Sequence, residues 1–364
     1  MTYPDSLYLH GFNLMPQFGP ARLFKLTRAP QLKNIFEGDF ETLAKLGIEE
    51  ELAKAFIEHR KKINLDVEAE KLERVGIKLL NFKDPNYPKL LLEIPKFPPL
   101  LYYRGTLESN DELCLAVVGS RKITTYGLTV IPDLVAPIVD AGVTIVSGMA
   151  FGVDSEAHKQ AVIKNRRTIA VLGGGLDDHS LYPKHHQLLA SEILNTGGAL
   201  VSEYPVGTPN FKQNFVARNR IISGLSVATL VVECDLESGS LITAKHALDQ
   251  NRTVFAVPGP IYSEMSKGPN NLIKMGAKLV TEANDILEDL NLKTLPEQKN
   301  ILLNFGDTPE ETAVLKLLSK NPVNINAIIK ETKLEPGQVT SALIFLEMKG
   351  RVRNLGGQQY ILSR

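Results

Sequence analysis

The chain has 364 residues, with 41 Lys+Arg against 41 Asp+Glu, 43% hydrophobic and 23% charged. That is the balance of an ordinary globular protein with room for two or three domains. Zero formal net charge excludes a histone-like polycation and confines any polyanion site to a local patch.

Two cysteines, Cys114 and Cys234, lie far apart inside apolar runs and read as reduced core thiols. The opening MTYPDSLYLHGFNL has no basic stretch followed by an apolar one, and no apolar run reaches membrane-spanning length. A cytoplasmic protein without membrane contact is the expectation. Residues 1–62 read as helical, with turns at Phe18-Gly19-Pro20 and Gly47 that loosely resemble tandem helix-hairpin-helix motifs. Residues 63–104 read as an extended adaptor: Ile77–Phe82 suits a strand, and Asp84-Pro85, Tyr87-Pro88 and Phe97-Pro98-Pro99 hold the chain open.

From residue 105 to 291 the pattern alternates strand, turn and helix. Strands are expected at Leu113–Val118, Val143–Ser147, Thr168–Leu172, Ala199–Glu203, Ala228–Cys234, Thr253–Val257 and Lys278–Val280. This period predicts an α/β fold with a doubly wound, mostly parallel, Rossmann-like sheet. Residues 292–307 read as a linker. Helices at Pro309–Leu318, Ile325–Glu331 and Pro336–Lys349, then a hairpin across Gly356-Gly357, predict a winged-helix domain over 308–364.

In a doubly wound fold, ligands gather at the carboxyl ends of the strands. Small-residue loops fall at those ends: Gly119-Ser120-Arg121, Ser147-Gly148, Gly173-Gly174-Gly175 and Glu237-Ser238-Gly239-Ser240, with Ser240 the expected helix cap. Between Ser202 and Ala228 stands a basic and aromatic cluster, Lys212, Phe215, Arg218, Asn219 and Arg220. Cations, a ring and close backbone loops suit a single-stranded nucleic acid. The triple glycine is no GxGxxG fingerprint, and GxxxxGK[ST] is absent. Three chemical alternatives stay open at this point. Asp154 and His158 at i, i+4 suit an acid–base pair, and His179, His185 and His186 suit a metal. Glu203 and Glu233, read as ending neighbouring strands, suit glycosidic cleavage or pairing with Arg218 or Arg220.

VVGSRKITTYG (117–127), SGMAFGVDSEAH (147–158), VLGGGLDDHSLYP (171–183), SEYPVGTP (202–209), RNRIISGLSVATLVVE (218–233), ESGSLITAKHAL (237–248), FAVPGP (255–260) and GPNNLIKMGA (268–277) together closely resemble the DNA processing protein A (DprA/Smf) family. The resemblance implies a protein that binds and protects single-stranded DNA and helps load the RecA recombinase, notably in natural transformation. It also implies a homodimer formed through the Rossmann-like domain, no catalysis, and no cofactor or metal. Its DNA pocket maps onto Arg121, Ser147-Gly148, Lys164, Lys212 and Phe215. The chain departs from the family with Val216 after Phe215, where proline is usual, and with His186, where asparagine is usual. The rival class is a Rossmann-like nucleoside monophosphate phosphoribohydrolase. That family resembles PGGxGT-x-x-E, whereas this chain has ESGSLITAKHA and no carboxylate at the matching place.

Overall fold

The computed structural model describes residues 3–107, 113–292, 306–319 and 321–362. Two compact units form, residues 1–294 and 295–364. In the first, helices α1 (Asp5–Asn13), α2 (Pro20–Leu26), α3 (Leu32–Glu37), α4 (Phe40–Ala44), α5 (Glu50–Arg60) and α6 (Leu65–Arg74) precede the sheet. Helix α6 replaces part of the expected extended adaptor, because Asn64 accepts hydrogen bonds from the Asp66 and Val67 N–H groups and starts a helix there.

The sheet's strands are β1 (Lys78–Asn81), β2 (Leu100–Gly105), β3 (Cys114–Val118), β4 (Thr144–Ser147), β5 (Thr168–Leu172), β6 (Ala199–Ser202), β7 (Ala228–Val231), β8 (Thr253–Ala256) and β9 (Lys278–Leu279). The order is β1-β2-β6-β5-β4-β3-β7-β8-β9. Strand β2 runs antiparallel to both β1 and β6, and the other pairs are parallel. Helices α7 (Lys89–Leu92), α8 (Thr125–Asp140), α9 (Val153–Ile163), α10 (Gln187–Asn195), α11 (Lys212–Gly224), α12 (Gly239–Asp249), α13 (Glu264–Lys274) and α14 (Ala283–Asp289) complete the unit.

Alternation along each strand divides the core between two faces. Ala170, Leu172 and Leu200 join the apolar cluster of the N-terminal helices, whose centre holds Phe12, Phe18 and Phe56. Ile169, Val171, Ala199 and Val201 face the other way and meet Ile221 and Ile222 of α11. The N-terminal helices therefore cover one face of the sheet. A polar tie reinforces this: His10 Nδ1 lies 2.8 Å from the Tyr102 hydroxyl, and Asn13 donates to the Glu203 carbonyl at 2.9 Å. Both cysteines are buried and unbridged.

In the second unit, α15 (Pro309–Leu317), α16 (Ile325–Thr332) and α17 (Pro336–Met348) pack around Val314, Ile328, Val339, Leu343 and Leu346. Strands β10 (Val323–Asn324), β11 (Val352–Gly356) and β12 (Gln359–Leu362) form a sheet ordered β10-β12-β11. This is a winged helix. The expected linker, apart from Leu292, Gly306 and Asp307, lies outside the described residues. Among the described residues no helix is long and apolar enough to cross a membrane.

Candidate nucleic-acid interface

Strand order reverses at β3: the chain leaves it toward β4 on one side and returns at β7 on the other. Such a switch point opens a crevice at the carboxyl ends of the strands. A cleft lies at this edge, lined by Arg121, Gly148, Ala150, Phe151, Tyr182, Pro183, Phe215 and Arg218. Four residues singled out from sequence thus meet in one place: Arg121, Gly148, Phe215 and Arg218.

Helix α11 supplies the ring and the buried cation. Phe215 and Arg218 stand three residues apart on one helix face. Phe215 is half-buried against Gly173, just past β5, and its ring centroid lies 5.7 Å from that of Tyr182. The Arg121 guanidinium is 5.5 Å from the ring centre and that of Arg218 is 5.9 Å, both within cation–π range. Arg121 is exposed, whereas Arg218 is 4% exposed and donates to the Val171 carbonyl at 2.6 Å. Gly148 makes room for it, since a Cβ there would overlap Arg218 Nη1. Burial pulls the Arg218 pKa down to about 10, against the upward pull of Asp154, so the group stays cationic at neutral pH. The cleft floor therefore carries a fixed positive charge.

Several backbone groups expected to meet phosphate are already engaged. Asp154 accepts from the Gly148 and Ala150 N–H groups at 3.1 and 3.4 Å. The Ser147 hydroxyl donates to the Val117 carbonyl at 2.6 Å, and that of Ser120 accepts from the Lys122 N–H at 3.0 Å. Gly119 is needed for packing, because a Cβ would run into Val153 and the Glu233 carbonyl. At the far turn, the helix cap is Ser238 and not Ser240: its hydroxyl accepts from the Ser240 N–H. Asn219 donates to the Gly239 carbonyl at 3.1 Å, which ties α11 to that turn.

Two expected cations lie elsewhere. Lys164 follows α9 and precedes β5, at the opposite edge of the parallel sheet, where it pairs with Asp140 at 2.8 Å. Arg220 forms an ion pair with Glu203, which is itself 4% exposed. By contrast, Lys184 and Lys212 are exposed and, like Arg121, have no ion-pair partner among the described residues.

Of the chemical alternatives, the pairing of Glu203 with Arg220 is found, but the strand positions and the partner of Glu233 differ from the expectation. Glu203 and Glu233 do not end neighbouring strands, since β5, β4 and β3 stand between β6 and β7. Glu233 instead accepts from the Thr124 N–H and hydroxyl at 3.0 and 2.5 Å, holding the start of α8. His158 is fully buried and bonded to Thr168 Oγ1 at 2.7 Å, and burial lowers its pKa to about 3. It is a neutral core group. Among the described residues, no cluster of three His, Cys, Asp or Glu side chains is arranged to hold a metal.

Phe151, Tyr182 and Pro183 were not singled out from the sequence as site residues. All stand on loops following β4 and β5, so the signal available was simply an aromatic on a loop at the sheet edge where ligands gather.

The comparisons with known proteins agree with this architecture. The family described as DNA recombination-mediator protein A matches residues 78–291, and the DprA winged helix domain matches 303–358. Protein Smf of Escherichia coli (strain K12) is 39% identical over 305 residues, 80% of this chain and 79% of that protein. DNA processing protein DprA of Streptococcus pneumoniae (strain ATCC BAA-255 / R6) is 41% identical over 206 residues, 57% of this chain and 72% of that one. The X-ray structure of DprA from Streptococcus pneumoniae superposes with a TM-score of 0.67 at 32% identity, covering 81% of this chain and all of the other. A Helicobacter pylori DNA processing protein A structure, described for its single-stranded DNA binding mode, gives 0.53 at 29% identity, covering 59% and 95%.

Proposed function

The chain belongs to the DNA recombination-mediator protein A family, and from that premise we propose that it binds single-stranded DNA at the switch-point cleft without chemically altering it. Arg121 and Lys212 take phosphates, Phe215 stacks on a base, and Arg218 holds positive charge beneath the ring. The observation that carries this reading is the Phe215 ring with two guanidinium groups within 6 Å of its centre, that of exposed Arg121 and that of buried Arg218. A stacking ring with cations beside it accepts any unpaired base, whereas a duplex hides its base faces. Gly119, Ser120, Ser147, Gly148, Asn219, Gly239 and Ser240 shape the groove and hold α11 in place, and Arg220 supports α11 through Glu203. Lys164 has no part in the cleft.

The engagement of Asp154, Glu203 and Glu233 in structural bonds supports a binding role over a hydrolytic one. Asp154 caps the Gly148 and Ala150 amides, Glu203 pairs with Arg220, and Glu233 holds Thr124. The family resemblance adds three further parts to the proposal: a cytoplasmic setting, delivery of the strand to the RecA recombinase, and pairing of two copies through the α/β unit.

The test is competition for a labelled single strand by unlabelled single-stranded and duplex oligonucleotides of equal length. The single strand should compete far better. Equal competition would move DNA reading away from this cleft. Free base released from nucleoside monophosphates would instead favour the hydrolase.

A further inference from the structure

The cleft holds a second ring that the reading above leaves unused. Phe151 sits on the loop after β4 and is 40% exposed. This loop is tightly fixed. Met149 adopts a φ of 55°, the left-handed region that non-glycine residues seldom occupy, with its side chain wholly buried. The Gly148 and Ala150 N–H groups on either side of it donate to Asp154. The Met149 carbonyl lies 2.9 Å from His186 Nδ1. His186 also braces the aromatic ring: the two centroids are 4.8 Å apart with planes at 62°, and His185 approaches to 6.0 Å. Met149 is thus held inward, and Phe151 stands at the cleft rim beside Arg121, Tyr182 and Phe215. The exposed Lys184 lies next to the histidines in sequence and has no ion-pair partner among the described residues.

A rigid, part-exposed ring on the rim of a cationic cleft has the chemistry of a base-stacking platform. We propose that Phe151 is a second stacking site, receiving a nucleobase next to the one held at Phe215, in a strand whose phosphates face Arg121 and Lys184. The proposal rests on the single-strand reading above. A nucleobase is the favoured occupant because the ring shares its cleft with the exposed Arg121, which has no ion-pair partner among the described residues and would attract the strand's phosphates.

Fluorescence anisotropy with the full chain tests it, using oligothymidylate and an abasic strand of equal length. Phe151→Leu keeps the apolar bulk but loses the π face. It should weaken oligothymidylate binding about tenfold, a typical loss for one base–aromatic stack, with the melting temperature unchanged. Phe151→Trp should bind like the parent. On the abasic strand all three should bind alike. Parent-like oligothymidylate affinity in Phe151→Leu overturns the proposal, as does an equal loss on both strands. If the leucine variant melts early, the tryptophan variant decides: failure to restore base-dependent affinity overturns it. Weakened binding in Phe215→Ala, with every Phe151 variant unaffected, removes this proposal alone. A parent that binds no single strand removes the single-strand reading and this proposal with it.

Discussion

The α/β unit and the winged-helix unit each carry a nucleic-acid-binding architecture, yet the cations beside the α/β cleft and at the end of the recognition-position helix are held differently. In the α/β unit, Arg121 at the cleft, and Lys184 and Lys212 near its lining residues in sequence, are exposed with no acidic partner among the described residues, and two guanidinium groups lie within 6 Å of the Phe215 ring centre. On α17, the helix in the recognition position, the exposed large apolar side chains are Ile344, Phe345 and Met348. Lys349 at its end is occupied by Asp307 and Glu311, each at 2.7 Å. A phosphate competes poorly for a lysine held by two carboxylates. The difference teaches that a fold can supply the frame for DNA binding while the charge arrangement decides whether the frame is used.

The same distinction divides cations within the α/β unit, and the largest expected effect tests it there. Arg220 is locked to buried Glu203, so Arg220→Ala should destabilise the fold by about 3–5 kcal/mol, as breaking a buried ion pair does. Burial raises the Glu203 pKa, and Arg220 opposes that rise. A carboxyl with its pKa raised in the folded state stabilises the fold at low pH and loses that contribution as pH rises through the folded value. Removing Arg220 strengthens the rise. The variant's deficit should therefore be greatest at neutral pH and smaller at about pH 5, read by urea melts at both. A pH-independent deficit would show that the ion pair is not its cause.

Phe215→Ala comes next, with about 1–3 kcal/mol of single-strand affinity lost. Titrations across salt should show an unchanged slope, since stacking is a neutral contact. Calorimetric melting should stay near that of the parent. A large melting drop with affinity preserved would recast the ring as packing.

Lys212→Ala should act on charge instead. Single-strand binding loses about 0.7 in log–log salt slope per neutralised phosphate. Salt titration of this variant should give a flatter line by somewhat less than one. An identical slope would take Lys212 out of the interface.

The smallest effect is expected from deleting residues 308–364, which should leave single-strand affinity within about twofold, because that unit's recognition helix offers apolar groups and not free charge. Loss of most affinity would reverse the comparison between the two units.

Much of this was legible in sequence because its signals are local. Continuous β-branched runs mark strands buried on both faces, and each expected core strand is found within a few residues. The winged helix was equally plain from three helical stretches and a diglycine hairpin. Spatial sorting was harder. Arg218 and Arg220 look equivalent in RNR, yet residues two apart on a helix point roughly 200° away from each other. Only one can face the cleft. Lys164 failed for a similar reason, since in a parallel βαβ unit the residue before a strand lies at the edge opposite the strand ends. The pairing of Glu233 with Thr124 needed the strand order, which no local pattern encodes.

The cover formed by the N-terminal helices bears on how this protein can be dissected. Leu172, Leu189, Ile193 and Leu200 share one buried cluster with Phe12, Phe36 and Leu65. A fragment beginning at residue 105 would present Leu172 and Leu200 of the sheet, with Leu189 and Ile193 of α10, to water as a contiguous greasy face, the kind of surface that drives aggregation. Precipitation of such a fragment would then report a missing lid over the sheet and say nothing about the competence of its cleft.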